Sequence, residues 1–346
     1  MERIFLITGA TGHLGNTIIR MLLQRKERIR ALVLPTDNTM ALEGLPVELF
    51  TGNVCDKASL ETFFKTDDNT RIIVIHTAGI VSISSRIDPK IFQVNVEGTR
   101  NITDMCVEKK VHRLVYISSV HAIPENKEGE TVCEIDHFDP EAVIGAYAKT
   151  KAIASQYVLD QVRTKDLDAV IVQPSGIVGP QDYGNAHMTQ MVSDYVSGKL
   201  TACVRGGYDF VDVRDVAQGV LSAVDKGHKG ECYILSNKYI SVPQLFDMLH
   251  RITGRRKVRT VLPLWFAKMT APLAEIYYRL QRKPPLFTSY SLYTLFSNSN
   301  MSHTRADREL AYTTRDMYKT LSDTVDWQRK HKKTAPPRVR NTLRKA

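Results

Sequence analysis

The sequence predicts an α/β fold with a doubly wound parallel sheet and a smaller C-terminal lobe. Short apolar runs alternate with amphipathic helical segments over roughly the first 175 residues, as is typical of buried parallel strands joined by crossover helices. The first run, from Arg3 to Thr8, ends in a glycine-rich turn that leads directly into a helical pattern. Beyond residue 175 the alternation weakens, and proline, aromatic and basic residues are frequent between 254 and 300.

Each further element follows from the same periodicity. After the first strand and helix, strands are predicted at Ile29–Leu34, Val47–Phe50, Arg71–Ile75, Leu114–Ser118, Ala169–Val172 and Cys232–Leu235. Helices are predicted at Lys57–Phe64, Pro89–Lys110, Ala146–Val162, Val213–Asp225 and Val242–Ile252. The carboxyl ends of parallel strands meet at one edge of the sheet, so we expect ligands to bind there.

The glycine-rich turn is typical of a phosphate-binding unit. Gly9, Gly12 and Gly15 separate the first strand from the first helix. Backbone N–H groups at a helix N-terminus lack helical partners and carry partial positive charge, so they suit a pyrophosphate. We therefore expect a Rossmann-type dinucleotide-binding domain over residues 1–175, to which 208–235 return, and a substrate lobe over 176–207 and 236–325.

Tyr147 and Lys151 form a candidate catalytic pair, because a spacing of four places them on one helix face. A lysine ammonium beside a phenol favours phenolate, so we expect a lowered pKa for Tyr147. Such a phenol exchanges a proton with an alcohol or carbonyl near neutral pH, and Ser119 ends a strand from which it can bond the same oxygen. Tyr195 and Lys199 repeat the spacing, but Gly198 weakens a helix there, so we interpret that pair as coincidental.

Together these motifs resemble those of extended short-chain dehydrogenases/reductases, in the epimerase/dehydratase superfamily, over about residues 1–325. The matching segments are Thr8–Gly15, Asn53-Val54, His76–Gly79, Asn95–Thr99, Ser118-Ser119, Tyr147 with Lys151, Pro174–Pro180 and Phe210–Ala217. The resemblance implies that Tyr147 is the general acid/base, that Lys151 lowers its pKa and holds the nicotinamide ribose, and that Ser119 polarises the substrate oxygen. It also implies a homodimer through the helices at about 89–110 and 146–162.

The implied cofactor is NAD or NADP. The implied cofactor-binding residues are Gly9, Thr11, Gly12, His13, Leu14, Gly15, Leu34, Asn53, Val54, His76, Ala78, Gly79, Asn95, Tyr147, Lys151, Pro174 and Ile177. For Asn95 we favour a structural role at the strand–helix junction over a proton relay. An acidic residue after the second strand binds the ribose of NAD, whereas an arginine meets the 2′-phosphate of NADP. Leu34 occupies that point, between Arg30 and Asp37, so both cofactors stay open.

Two reaction classes compete. Nucleotide-sugar epimerases usually carry an asparagine and an arginine where this chain has Gly176 and Tyr208, with Arg205 or Arg214 as candidates to compensate. Dihydroflavonol reductases and 3β-hydroxysteroid dehydrogenases show similar segments without those contacts.

An aromatic run is a candidate pocket lining and includes Trp265, Phe266, Tyr277, Tyr278, Phe287 and Tyr290. We therefore predict an enzyme that transfers a hydride between NAD(P) and a ketone or secondary alcohol of an apolar ring substrate. A nucleotide-sugar epimerase/dehydratase is the alternative, and a non-catalytic dinucleotide-sensing regulator is the second.

Charge and composition limit the partners. The formal net charge is +10, but residues 329–346 hold eight Lys or Arg and no acidic residue. We expect this segment to be a disordered basic tail, with no specific nucleic-acid partner and with membrane contact only as a weak alternative. Five dispersed cysteines without a C-x-x-C pair indicate reduced thiols, no metal site and a cytoplasmic protein whose partner is a small-molecule substrate.

Overall fold

A computed structural model of the chain describes residues 2–67, 69–82, 88–126, 129–270, 288–297 and 299–334. The strands are β1 (Arg3–Thr8), β2 (Arg28–Val33), β3 (Glu48–Thr51), β4 (Arg71–His76), β5 (Arg113–Ile117), β6 (Ala169–Pro174), β7 (Gly176–Val178), β8 (Ala202–Val204), β9 (Gly207–Asp212), β10 (Cys232–Leu235), β11 (Lys238–Ser241) and β12 (Thr260–Leu262). Seven of them form one parallel sheet in the order β10-β6-β5-β4-β1-β2-β3. The strand order changes direction between β1 and β4, as in a Rossmann sheet, and this confirms the predicted fold class.

The helices cover both faces of this sheet. They are α1 (His13–Gln24), α2 (Lys57–Phe64), α3 (Pro89–Phe92), α4 (Gly98–Glu108), α5 (Ala146–Lys165), α6 (His187–Val196), α7 (Val213–Lys226), α8 (Val242–Thr253), α9 (264–270), α10 (Ser289–Phe296), α11 (Thr304–Leu310) and α12 (Met317–Thr334). A single π-helical turn, Gln93–Glu97, joins α3 to α4, so the helix predicted from Pro89 is continuous. It ends before Lys110, whose φ of +48° is left-handed.

Side chains on both faces of β1 are buried, which explains why the strand is uniformly apolar. Ile4 and Leu6 pack in one core with α2, α4 and α5. Phe5 and Ile7 pack in the other core with α1 and α7. The two cores hold the sheet rigidly between helical layers, and the carboxyl ends of β1, β4 and β5 are therefore fixed relative to one another.

A second, smaller set of strands lies beyond β6. β9 pairs in parallel with β7 and antiparallel with β11, and β8 pairs with β12. Their core is shared by α6, α8 and α12. The predicted boundaries differ in two places: β9 lies in this small sheet, and α11 packs with α7 under the large sheet through Ala306 and Leu310. The periodicity of apolar residues predicts that an element has a buried face, but not which of the two cores that face packs against.

Helix α12 corrects the expected extent of the C-terminal tail. The chain is helical to Thr334, so residues 329–334 do not belong to a disordered segment. Trp327 stacks on His331 with ring centroids 4.5 Å apart, and both rings contact Tyr183 edge-on. Gln328 Nε2 also donates to the carbonyl of Thr189 at 2.7 Å. These contacts keep the basic end of the helix ordered, and residues 335–346 lie outside the described part of the chain.

The apolar stretch after residue 260 begins with the end of β12 and continues into α9. In that helix Ala267 is buried, whereas Trp265 and Met269 are 66% and 59% exposed. Tyr277, Tyr278 and Phe287, which we predicted as pocket-lining residues, lie outside the described residues. Among the helices that the structure describes, none has both the length and the apolar composition that crossing a bilayer requires.

Candidate active site

The glycine-rich turn after β1 is packed too closely for side chains. Gly9 has a φ of +66°, and a Cβ there would lie 2.6 Å from the backbone nitrogen of Ala78. A Cβ on Gly15 would lie 2.2 Å from the carbonyl oxygen of Gly9. Thr77 Oγ1 in turn donates to the carbonyl of Thr8 at 2.7 Å. The turn after β1 and the segment after β4 thus form one continuous wall of the site.

The N-terminus of α1 fits an anionic group. The helix starts at His13 with exposed Gly12 as its N-cap, no described side chain caps it, and no acidic residue lies in its first turn. His13 Nε2 lies 2.9 Å from the carbonyl oxygen of Pro180, and burial lowers the pKa of His13. Asn16 Nδ2 donates to the carbonyls of Gly12 and Gln181, so the segment after β7 is held against this helix end. The uncapped N–H groups suit the diphosphate of a dinucleotide.

The segment after β2 brings a carboxylate to the glycine turn. Leu34 directly follows β2 and is partly exposed. The Asp37 carboxylate accepts hydrogen bonds from Leu34 N at 3.0 Å and from Thr11 Oγ1 at 3.3 Å. Arg30 is buried and donates to two backbone carbonyls at the end of α2, so it does not reach the turn. The charged side chain that bonds the glycine turn from this segment is therefore acidic.

Asn53 and Val54 follow β3 and pack against α4. Asn53 Oδ1 accepts from the backbone N–H of Cys55 at 3.0 Å. Val54 is buried, and its carbonyl accepts from Asn101 Nδ2 at 2.9 Å. A Cβ on Gly98, in the first turn of α4, would lie 2.7 Å from a methyl carbon of Val54. These contacts place both residues at the carboxyl edge of the sheet, where the family resemblance implies that the cofactor binds.

Asn95 and His76 serve the structure through their side chains. Asn95 is fully buried, accepts from Ile80 N at 2.7 Å and donates to Thr150 Oγ1 at 3.2 Å. It therefore ties the segment after β4 to α5, which agrees with the structural role favoured from sequence. His76 bonds Thr8 Oγ1 and Thr99 Oγ1, and burial, with Lys151 nearby, lowers its pKa to about 3. Its neutral ring joins β1 to α4 inside the core, so its side chain is not available to a cofactor.

Gly79, Pro174 and Ile177 complete the sequence-predicted cofactor set. A Cβ on Gly79 would lie 3.5 Å from Lys151 Nζ, so this backbone passes close to the catalytic pair. Pro174 ends β6 and is buried, and Ile177 is partly exposed in β7. All three lie at or just beyond the carboxyl edge of the large sheet, as the sequence predicted.

The structure brings Ser119, Tyr147 and Lys151 together. Ser119 follows β5 and accepts from the backbone N–H of His121 at 3.2 Å, and its side chain hydrogen-bonds the Tyr147 phenol. Tyr147 and Lys151 lie in the first two turns of α5, on the face that packs against β5. Gly145, just before α5, has a φ of +104° and leaves room for the ring of Tyr290. All three candidate catalytic side chains are at least nine-tenths buried.

The expectation that Lys151 lowers the pKa of Tyr147 is wrong for this structure. Burial raises the pKa of Tyr147 to about 12, and the hydrogen bond with Ser119 lowers it only in part. Lys151 Nζ donates to the carbonyl of Ile117 at 2.7 Å and lies 3.4 Å from Tyr116 Oη. Burial lowers the pKa of Lys151 itself to about 7. Desolvation disfavours the charged form of both groups, and this outweighs their proximity on the helix.

The lowered pKa of Lys151 predicts how the stability of the fold depends on pH. The pKa of Lys151 falls from 10.5 to about 7 on folding, so between these values the unfolded chain binds more protons and stability rises with pH. We expect Lys151→Met to remove this slope and to raise the free energy of unfolding by up to roughly 4 kcal/mol at pH 7, while turnover is lost. Urea unfolding between pH 7 and 10 measures the slope of stability against pH and the change in the free energy of unfolding.

The matched control for that experiment is Lys149→Met, in the same helix. Lys149 is exposed and pairs with Glu141 at 2.7 Å. Its removal should leave the slope of stability against pH unchanged. An unaltered slope in Lys151→Met would contradict the lowered pKa.

Three aromatic side chains surround Tyr147, and of these the sequence indicated only Tyr290, as a candidate pocket-lining residue. We call His121, Tyr208 and Tyr290 the aromatic cluster. His121 meets the Tyr147 ring edge to face with centroids 6.0 Å apart, stacks on Tyr208 at 5.5 Å and lies 6.4 Å from Tyr290. His121 Nε2 and Tyr208 Oη are 2.9 Å apart. Only its position two residues after Ser119 could have indicated His121 from sequence.

The second tyrosine–lysine pair, Tyr195 and Lys199, contacts residues of the smaller lobe. Tyr195 is buried in α6, with its hydroxyl 3.4 Å from the carbonyl oxygen of Arg256. Lys199 lies beyond the end of that helix and pairs with Asp194 at 3.2 Å. Both side chains therefore serve local structure in the smaller lobe.

Comparison with known proteins identifies the family. The sequence model of the NAD dependent epimerase/dehydratase family matches residues 5–236. The chain is 32% identical to sterol demethylase protein B of Methylococcus capsulatus, over 94% of this chain and 98% of that protein. It is 28% identical to 3 beta-hydroxysteroid dehydrogenase type 7 of Mus musculus, over 89% of this chain and 90% of that protein.

A solved structure matches over the same extent. The crystal structure of gox2253 superimposes with a TM-score of 0.80 at 33% identity, over 95% of this chain and 98% of that one. The glycine turn, the Ser119–Tyr147–Lys151 arrangement and these matches agree. The chain therefore belongs to the NAD-dependent epimerase/dehydratase family and is an NAD(P)-dependent enzyme of the extended short-chain dehydrogenase/reductase type.

Proposed function

We propose that this enzyme transfers a hydride between a nicotinamide cofactor and a ketone or secondary alcohol on an apolar, ring-containing substrate. The observation that carries this proposal is the packing around Gly176. A Cβ at Gly176 would lie 2.9 Å from Tyr208 Cδ1 and 3.0 Å from Phe210 Cδ1. An asparagine, which nucleotide-sugar epimerases usually carry there, has no room beside these rings. An aromatic surface takes the place of a sugar contact.

The arginines that could replace the missing diphosphate contact support the same conclusion. Arg214 donates to both oxygens of Asp212 and pairs with Asp323 at 2.8 Å, so its guanidinium is committed to the start of α7. Arg205 is exposed in the turn before β9. Two relatives carry the names of a sterol and a 3β-hydroxysteroid enzyme, and such molecules are apolar ring systems. An aromatic wall is the surface they prefer.

In the proposed mechanism Tyr147 is the acid and base. Because its pKa is about 12, the phenol is protonated at neutral pH and can donate to a carbonyl oxygen as negative charge develops there. Ser119 supplies a second hydrogen bond to the same oxygen, which stabilises that charge. Lys151 Nζ donates to the carbonyl of Ile117 and lies close to the backbone of Gly79, where it can contact a bound cofactor. A bound nicotinamide supplies the hydride chemistry.

We further propose NAD over NADP. The Asp37 carboxylate at the glycine turn can accept from ribose hydroxyls and repels a 2′-phosphate, whereas Arg30 is buried and turned away. We expect NADH to bind at least about tenfold more tightly than NADPH, and Asp37→Asn to reduce that ratio. Fluorescence titration with each cofactor measures it. Glu43→Gln removes another exposed acid of the same segment and should leave the ratio unchanged, and equal ratios in both variants would reject the role of Asp37.

The proposed reaction is tested by following reduced nicotinamide with three probes: dihydroquercetin, dihydrotestosterone and UDP-glucose. Turnover of either ring ketone, with no effect of UDP-glucose, supports the proposal. Near-stoichiometric NAD released on denaturing dialysed protein, together with conversion of the UDP-sugar, would instead establish the epimerase class, because an epimerase must keep its cofactor through the cycle.

A further inference from the structure

We propose that His121 and Tyr208 form a hydrogen-bonding subsite that recognises a second oxygen of the substrate, on the ring carbon next to the reacting one. The inference deepens the proposed function and rests on it. His121 lies outside the motifs matched above, Tyr208 stands where nucleotide-sugar epimerases usually carry an arginine, and both are partly exposed beside the buried Tyr147. The ligand class is a ring ketone, or the corresponding alcohol, with a vicinal hydroxyl.

Position is the first support. His121 lies in the short turn Val120–Ala122, and its own backbone N–H donates to Ser119 Oγ at 3.2 Å. The turn that positions Ser119 to bond the reacting oxygen of the substrate therefore also positions the His121 imidazole. Its edge-to-face contact with the Tyr147 ring, at 6.0 Å between centroids, puts it on the same wall as the phenol. A group held here meets the substrate close to its reacting carbon.

Protonation is the second support. Burial lowers the pKa of His121 to about 4 and raises that of Tyr208 well above its usual value, so both are neutral at pH 7. A phenol is the better donor and an imidazole nitrogen the better acceptor. Tyr208 Oη therefore donates to His121 Nε2 across 2.9 Å, and the ring proton is carried by Nδ1.

The remaining donor is the third support. Among the described residues no hydrogen-bond partner of His121 Nδ1 is found, although the ring is enclosed by three tyrosine rings. Because the His121 side chain is partly exposed, solvent can reach this N–H, and a ligand that displaces the solvent without accepting from the N–H leaves an unpaired donor, which is costly. A hydroxyl or carbonyl oxygen on the ligand satisfies it. A fully apolar ring does not, and this difference generates selectivity.

Two probes that differ by one hydroxyl test the subsite. Dihydroquercetin carries a hydroxyl next to its ring carbonyl, and eriodictyol is the same molecule without it. Calorimetric titration into the enzyme–NAD⁺ complex avoids turnover. We expect dihydroquercetin to bind roughly tenfold more tightly than eriodictyol, the effect of one hydrogen bond with a polar group that is otherwise unpaired.

Two variants test the contributions of His121 and Tyr208 to the subsite separately. His121→Phe keeps the aromatic contacts and removes both nitrogens, and Tyr208→Phe removes only the hydroxyl that sets the tautomer. Both should bring the affinity ratio of the two probes towards one. Tyr239→Phe, an exposed tyrosine on the neighbouring strand β11, is the matched control and should keep the wild-type ratio.

A readout without substrate accompanies the titration. Long-range proton–nitrogen spectra of imidazole-labelled protein should show His121 with its proton on Nδ1, and Tyr208→Phe should mix the two tautomers. A charged ring at pH 7, or a proton on Nε2 in the wild type, overturns the subsite.

The binding outcomes separate the two proposals. Equal affinity of the two probes rejects the subsite and leaves the proposed ring substrate standing. Binding of neither probe, with NAD⁺ binding intact, rejects the ligand class assigned to the subsite, and it rejects the proposed function as well if dihydrotestosterone is not turned over. If His121→Phe and Tyr208→Phe both still bind dihydroquercetin more tightly than eriodictyol, the role of His121 and Tyr208 is rejected as well.

Discussion

Tyr147→Phe is expected to lower kcat by roughly 10²- to 10⁴-fold, the usual contribution of a positioned general acid. The change removes one hydroxyl from a ring that is nine-tenths buried, so the fold and the affinity for NAD should change little. Steady-state kinetics with a turned-over ring ketone, alongside a cofactor titration, separate the chemical step from binding. Loss of cofactor affinity in parallel with kcat would assign Tyr147 a binding role instead.

The coincidental pair provides the control. Tyr195→Phe makes the same chemical change at a tyrosine that is also buried and also four residues before a lysine, but in the smaller lobe. Its kcat should stay close to that of the wild type. If the two variants lose equal activity, the loss follows from packing rather than from proton transfer.

Gly9→Ala is expected to abolish cofactor binding and to destabilise the fold strongly. Gly9 has a φ of +66°, and the added methyl would lie 2.6 Å from both Ala78 N and Thr77 Oγ1. Left-handed backbone alone costs a non-glycine residue about 1–2 kcal/mol. The clash adds to this cost, because the wall formed by the turn after β1 and the segment after β4 must separate.

Gly44→Ala is the control for backbone strain. Gly44 has nearly the same φ, +72°, and a Cβ there meets nothing within 4 Å. Thermal unfolding should show a small loss for Gly44→Ala and a much larger one for Gly9→Ala, with NAD binding lost only in the latter. Equal losses would mean that strain, rather than close packing against Ala78, makes glycine necessary at the turn.

The large sheet could be predicted because its elements carry local signals. β10 and α2 have the predicted ends, and β2, β3, β4, β5 and β6 differ from prediction by one or two residues. Apart from β3, an exposed edge strand, these strands are buried on both faces, so a largely apolar run marks each of them. The small strands β7, β8 and β12 are three residues long and have no such run. Their existence depends on pairing with distant strands.

Sequence patterns predict the Rossmann-type sheet, the glycine turn and the Ser119–Tyr147–Lys151 set, since each depends on local apolar runs, on residues close together in the chain or on helical spacing. Tertiary structure alone decided that Arg30 is buried while Asp37 reaches Thr11, that His121 bonds Tyr208, and that Lys151 donates to β5. It also decided the direction of the Tyr147 pKa. The physical reason is that burial and hydrogen-bond partners are set by residues far apart in sequence, whereas strand and helix periodicity is set by neighbours.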